Sequence, residues 1–149
     1  MTRILLDAMC GGLRAYLRLC GHDAAYAPDR GVEADDAIAA LARDEDRVVV
    51  TRDRALAAAT DGILLRERDP VDQLRELAAT GIPLEPTDDP ERCGHCNGRL
   101  DRVPTDDATP EYAPDPGNEA VWRCRDCEQC FWKGSHHDRM VETLAAVRT

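Results

Sequence analysis

The sequence is poor in lysine, in aromatic residues and in long apolar runs. Lys133 is the only lysine among 19 basic residues, aromatics make up 4% of the 149 residues, and 29 acidic residues give a net charge of −10. No apolar run approaches the roughly 20 residues of a membrane span, and no signal-peptide pattern is found. We therefore expect a soluble, cytoplasmic protein with no membrane partner. Its acidic excess is typical of a halophile-type surface and argues against a broad nucleic-acid footprint, while leaving room for a local basic patch.

Four of the seven cysteines form two C-x-x-C pairs, Cys93 with Cys96 and Cys124 with Cys127. In a chain without a secretory signal this spacing favours metal binding over disulfides. Two such pairs complete a tetrahedral site, and four protein ligands leave no open position for chemistry. We therefore predict a structural zinc ion, with an iron centre of the same geometry or disulfides as alternatives.

Short apolar segments alternate with helical patterns over the first 81 residues. This alternation predicts βαβ units and a parallel sheet flanked by helices, which is an α/β fold. Asp35 and Asp69 are expected to be the N-cap residues of the second and fourth helices. The predicted strands are 3–6, 23–27, 47–50 and 62–65, and the predicted helices are 11–20, 35–46, 54–60 and 70–80.

The character of the chain changes after residue 82. A segment rich in proline and acidic residues, 83–90, is predicted to link a first domain, 1–82, to a zinc-ribbon domain, 91–149. The second domain has few apolar runs, and a final helix is expected over about 136–147.

Acidic residues stand at the ends of predicted strands. Asp7 directly follows the first strand, Asp53 follows the third, and Asp35 opens the helix before the third. Ligands of parallel α/β sheets bind at the carboxyl ends of the strands, so we expect these carboxylates to lie together. A Mg²⁺ or Mn²⁺ ion would remove their mutual repulsion and activate water. Asp36 is the alternative to Asp35, and ordinary helix N-caps are the other interpretation.

Basic residues near these acids are candidates for phosphate contacts. Arginine binds phosphate oxygens through two parallel hydrogen bonds, and Arg14 and Arg18 share one helix face. Arg52 and Arg54 flank Asp53. The alternative is that these arginines are ordinary surface residues.

The run FWKGSHH before the last helix is a second candidate for RNA contact. Lys133 and His136 are the candidate contacts, because an aromatic residue beside a cation suits base stacking and phosphate pairing. The alternative is that Trp132 packs the ribbon and Ser135 caps the last helix. Cys130 is expected to be a buried structural residue.

Five stretches of the sequence together carry a family resemblance. They are LLD, GGLRAYLRLCGHDAAY, DDAIAALARDEDRVVVTRDRAL, RCGHCNGRL and WRCRDCEQCFWKGSHHDRM. They resemble the PIN-like ribonuclease family named for the C-terminal domain of the mutator-seven exonuclease, over residues 3 to 144. The resemblance implies a PIN-like fold with metal-dependent RNA cleavage, followed by a zinc ribbon, and it assigns Asp7, Asp35 and Asp53 to the acidic positions. Many PIN nucleases carry a fourth acid after the next strand, where this sequence departs from the pattern and Glu67 or Asp69 could serve.

Two functions are open at this point. The first is a metal-dependent RNA endonuclease that uses Mg²⁺ or Mn²⁺, with the zinc ribbon bracing the domain or positioning RNA. The second is a non-catalytic adaptor that keeps the fold and binds RNA or protein, since folds of this type include inactive scaffolds. A growth-arresting toxin is a third possibility.

Overall fold

The first part of the protein is a parallel sheet with helices on both faces, described here from a computed structural model of residues 1 to 149. The strand order is β2-β1-β3-β4, and every pair is parallel. The α/β fold predicted from the sequence is confirmed. The strands are β1 (Arg3–Leu6), β2 (Asp23–Tyr26), β3 (Val48–Thr51) and β4 (Ile63–Leu64), and the helices are α1 (Arg14–Leu19), α2 (Asp35–Glu45), α3 (Arg54–Thr60) and α4 (Pro70–Ala79).

Strand β1 is buried on both faces, so its residues divide between two cores. Ile4 and Leu6 pack with α1 and α4, whereas Leu5 packs with α2 and α3. Side chains alternate along a strand, which explains the division. The unbroken apolar run in β1 is typical of a parallel strand that is covered by helices on each side.

The second part is a three-stranded antiparallel sheet followed by a helix. Strand β5 (Leu100–Arg102) pairs with β6 (Val121–Cys124), which pairs with β7 (Cys130–Trp132). Helix α5 (Ser135–Arg148) lies within one residue of the predicted helix. No helix in the structure is long and apolar enough to cross a membrane.

Three local predictions are corrected. Ala34, not Asp35, is the N-cap of α2, and Gly134, not Ser135, is the N-cap of α5. The predicted helix 11–20 is preceded by a 3-10 helix over Ala8–Leu13, because adjacent glycines disfavour an α-helix. The Asp69 cap is confirmed, since its side chain accepts a hydrogen bond from the Val71 N–H at 2.9 Å.

The last helix shares a core with the first sheet. Leu144 and Val147 of α5 belong to the same buried cluster as Leu74 of α4 and Leu84. The Arg148 guanidinium donates to the Leu84 carbonyl at 2.7 Å, so the segment predicted as a linker is tied down. The domain boundary near residue 90 stays a prediction. Side chains from both sides of that boundary are nevertheless buried in one apolar cluster.

A buried polar network joins the ribbon to the start of β2. Asp23 accepts hydrogen bonds from Arg47 at 2.8 Å and from the Asn97 amide at 2.7 Å. The Asn97 side-chain oxygen in turn accepts from the Ala24 N–H at 3.0 Å. Burial alone would raise the pKa of Asp23, but the bonds from Arg47 and Asn97 outweigh it and lower that pKa. The ribbon is therefore docked through satisfied polar groups.

Replacing Leu144 by alanine is expected to lower the free energy of unfolding of the first sheet by about 2 to 5 kcal/mol, because the side chain is fully buried there. Urea unfolding measures this change. Glu142→Ala, on an exposed face of the same helix, should have little effect. An unchanged midpoint for Leu144→Ala would show that α5 does not belong to this core.

His22 is expected to make the protein less stable in mild acid. Its Nδ1 accepts from the Thr2 N–H at 3.0 Å, its Nε2 lies 2.6 Å from the Pro83 carbonyl, and burial lowers its pKa. The unfolded chain therefore takes up the proton first, and stability falls as pH drops below about 6.5. Thermal melts from pH 7 to 5 should show a steeper decline for wild type than for His22→Gln. Parallel declines would contradict this assignment.

Candidate active site and metal centre

Asp7 and Asp53 meet at the carboxyl edge of the parallel sheet. The Thr51 hydroxyl donates to Asp7 Oδ2 at 2.8 Å and accepts from the Asp53 N–H at 3.0 Å. Strands β1 and β3 are neighbours, so the residues that follow them lie at the same edge. Sequence reasoning missed Thr51, although a polar residue ending the run VVVT was a usable signal.

Both aspartates are also helix caps. Asp7 Oδ1 accepts from the Ala8 N–H at 2.7 Å, and Asp53 Oδ1 accepts from the N–H groups of Ala55 and Leu56 at 2.8 and 3.2 Å. The N-cap interpretation is therefore right for these two residues. It does not exclude a ligand role, because each carboxylate has a second oxygen and that of Asp53 makes no hydrogen bond within the protein.

Asp35 and Asp36 lie at the exposed start of α2. This helix connects the carboxyl end of β2 to the start of the parallel strand β3. Its first turn therefore lies toward the carboxyl edge of the sheet, where Asp7 follows β1. Asp36 accepts from the Ala37 N–H at 2.9 Å. The four cysteines are the only group of three or more possible metal ligands whose ligand atoms all lie within 4.8 Å of one another. The carboxylates at the sheet edge do not form such a group.

Glu76 of α4 is a further acid at this edge that the sequence did not reveal. Its carboxylate accepts from the N–H groups of Arg66 and Glu67, both at 2.9 Å, and so fixes the loop after β4. The Leu65 N–H bonds to the Thr51 carbonyl at 2.8 Å, which places that loop beside β3. Glu67 is exposed. In the sequence, Glu76 is indistinguishable from an ordinary polar residue of a surface helix.

The glycine pair in the last turn of the 3-10 helix, Gly11 and Gly12, allows close packing at the same edge. A Cβ atom on Gly12 would lie 2.5 Å from Pro70 Cγ, and one on Gly11 would lie 2.8 Å from the Tyr26 hydroxyl. That hydroxyl donates to the Ala8 carbonyl at 2.9 Å. The segment after Asp7 is thus held against both α4 and the end of β2.

The prediction that Arg18 contacts substrate is wrong. Only 1% of the residue is exposed, and its guanidinium donates to the carbonyls of Ala24 at 3.0 Å and Gly94 at 2.9 Å. Burial lowers its pKa, and the neighbouring Arg14 lowers it further. Arg18 is a structural tie between β2 and the first cysteine pair.

The other candidate arginines keep accessible surface. Arg14 stacks over the Tyr26 ring at 4.3 Å from its centroid and is half-buried, and Arg54 is exposed. Arg52 is half-buried, and its Nε is shielded from solvent without a hydrogen-bond partner.

The candidate contacts near the ribbon are exposed. The Lys133 ammonium donates to the Asp88 carbonyl at 2.6 Å, and His136 lies in the first turn of α5. Trp132 packs against the small ribbon core that contains Cys130, as the structural alternative predicted.

The four cysteines form a compact sulfur cluster. Cys93 Sγ lies 3.6 Å from Cys127 Sγ, and Cys96 Sγ lies 3.5 Å from Cys124 Sγ. Zinc–sulfur bonds of about 2.3 Å in a tetrahedron set the sulfur atoms about 3.8 Å apart. These distances fit a tetrahedral metal ion such as zinc, and the cysteines are free rather than paired as disulfides.

Backbone N–H groups support the thiolates. The Cys96 N–H donates to Cys93 Sγ and the Asp126 N–H donates to Cys124 Sγ, both at 3.4 Å. Burial nevertheless raises the pKa of Cys93 and of Cys96 above the ordinary thiol value. A bound cation is what would hold these buried sulfurs as thiolates.

Comparison with known families identifies the chain. The family model described as Mut7-C RNAse domain matches residues 2 to 144, nearly the whole chain. The protein therefore belongs to the Mut7-C RNAse domain family, as the resemblance in its sequence indicated, and carries a ribonuclease-type domain. No curated protein and no solved structure matches it.

Wild-type protein purified without chelator is expected to contain about one zinc ion per chain, because the four sulfurs form one tetrahedral set. Cys124→Ser should lose most of this metal, whereas Cys130→Ala should retain it, since Cys130 lies outside the cluster. Elemental analysis by mass spectrometry measures the content. Full metal content in Cys124→Ser would contradict the assignment.

Proposed function

We propose that this protein is a metal-dependent ribonuclease that hydrolyses phosphodiester bonds within RNA chains. The observation that carries the proposal is that the Thr51 hydroxyl links the Asp7 carboxylate to the backbone N–H of Asp53 at one sheet edge, in a member of a ribonuclease family. The reaction would take place at the carboxyl edge of the parallel sheet, where ligands of such sheets bind.

Asp7, Asp53 and Asp35 are the residues that would hold Mg²⁺ or Mn²⁺, with Asp36 as the alternative to Asp35. Their fit rests on the donor chemistry, since carboxylate oxygens are the ligands these ions prefer. The free oxygen of Asp53 is available to such an ion. When bound, the ion supplies Lewis-acid stabilisation of phosphate charge and a more acidic water.

The protein holds the two strand-end carboxylates in fixed orientations before substrate binds. Asp7 is fixed through both oxygens, by the Ala8 N–H and by Thr51, and Asp53 is fixed by the first turn of α3. Such preorganisation removes the cost of reorienting polar groups during the reaction.

Arginines at the same edge would bind the phosphates that flank the cleaved bond. Arg14 and Arg54 offer guanidinium groups that suit bidentate phosphate contacts. Arg52, half-buried beside Asp53, would add a further guanidinium contact to phosphate. Lys133 and His136, near the ribbon, would contact the RNA at a distance from the cleaved bond.

The four-cysteine cluster is proposed to hold a structural zinc ion that stabilises the ribbon.

Asp53→Asn is expected to reduce RNA cleavage about 10²- to 10³-fold, because loss of one carboxylate ligand removes several kcal/mol of charge stabilisation. Its amide oxygen can still cap α3, so the fold should be preserved. The measurement is the cleavage rate of a labelled single-stranded RNA with Mg²⁺ or Mn²⁺. Asp61→Asn, an exposed residue at the opposite end of α3, is the matched control.

Different outcomes separate the enzyme from the adaptor. Loss of cleavage in Asp53→Asn with RNA affinity retained supports the enzyme. RNA binding without any metal-stimulated cleavage by wild type favours the non-catalytic adaptor. Asp35→Asn and Asp36→Asn, compared side by side, show which member of the pair contributes.

A further inference from the structure

A cavity of about 460 Å³ lies between the ribbon and helix α1. Its walls come from α1, the first cysteine pair, β7 and the start of α5. Ala15 and Leu19 form the α1 side, and Met140 closes the α5 side. None of the acids assigned to the reaction lines it, so it is separate from the proposed active site.

The lining of this cavity differs from the acidic surface of the protein. The chain has 29 acidic residues, yet none lines the cavity. Its wall carries Arg92 and three of the four histidines, His95, His136 and His137. Arg92 also lies 3.7 Å from the Asp23 carboxylate, so the wall offers one shared cation and several nitrogen donors, which suit a ligand with acceptor oxygens.

Buried donors in this wall lack partners. Arg92 Nε and both ring nitrogens of His137 are shielded from solvent and make no hydrogen bond. The nearest carboxylate to His137 is that of Asp138, whose oxygen lies 3.7 Å from Nδ1, beyond hydrogen-bond distance. Unsatisfied buried polar groups are costly. Because both residues line the cavity, turning these atoms toward a ligand with acceptor oxygens would relieve that cost.

The lining also includes aromatic residues of β7. Phe131 and Trp132 both border the cavity, but side chains alternate along a strand, so they point to opposite faces of the sheet. Trp132 packs into the ribbon core beside Tyr112, whereas the Phe131 ring approaches Gly94, which also lines the cavity. An aromatic ring such as that of Phe131 stacks on nucleobases with little sequence preference.

We propose that this cavity binds one nucleotide of a single-stranded RNA, with its base against Phe131 and its phosphate at Arg92 and His137. The inference rests on the proposed function, because it takes the ligand to be the RNA substrate. Ligand cavities of this size hold small molecules of nucleotide dimensions. The 3-10 helix that begins after Asp7 leads into α1, and Ala15 and Leu19 of α1 line the cavity.

The test is RNA binding by His137→Gln and Phe131→Leu, each in the Asp53→Asn background to prevent hydrolysis. Fluorescence polarisation of a labelled 12-nucleotide single-stranded RNA, in buffer without chelator, should show Kd raised about tenfold by each substitution. Arg139→Gln, an exposed cation on α5 outside the cavity, is the matched control and should stay within about twofold. Thermal melts and zinc content confirm that each variant is folded.

Photocrosslinking with 5-iodouridine in the same RNA supplies a second readout, with crosslinks expected at Phe131. Unchanged affinity in both cavity variants, or equal weakening by Arg139→Gln, overturns the proposal.

The two proposals fail in different ways. If wild type cleaves RNA in an Asp53-dependent way but the cavity variants bind normally, only the cavity proposal is overturned. If binding depends on His137 and Phe131 but no cleavage occurs, the cavity proposal stands and the ribonuclease proposal fails.

Discussion

The pairing of β1 with both β2 and β3 is the interaction on which the rest of this structure depends. It buries Ile4, Leu5 and Leu6 completely and gives the protein a separate core on each face of the sheet. The same pairing brings Asp7 to the Thr51 hydroxyl. It also places the start of β2 where the Ala24 N–H donates to the Asn97 side chain of the ribbon. A shift in register would turn the side chains of β1 to the other face and separate these groups.

The ribbon depends on the sheet as much as on its metal site. Arg18 and Asn97 connect the first cysteine pair to β2 through backbone carbonyl and N–H groups, while α5 returns to the core of the sheet. A small domain with little apolar core gains stability from such docking as well as from a bound metal. The cavity lies at this interface, since Ala15 and Leu19 of α1 complete a lining that otherwise comes from the ribbon and α5.

The sequence predicted the elements that rest on local chemistry. Periodicity located the strands and helices, the Asp69–Pro70 pair marked the start of α4, and the C-x-x-C spacing marked the sulfur cluster. It misjudged Arg18, because an arginine on a helix face is indistinguishable from a surface cation until the neighbouring carbonyls are known. It placed the caps of α2 and α5 one residue late, since φ/ψ angles rather than residue type define the first helical residue.

The sequence by itself determined the α/β class, the four-cysteine set and the positions of acids after strands, because each depends on residues close together in the chain. Only the tertiary structure decided that Thr51 links Asp7 to Asp53, that Glu76 fixes the loop after β4, and that Arg92 and His137 face one cavity. These contacts join residues far apart in sequence, and strand order and helix packing bring them together. Short-range patterns carry no information about such distances.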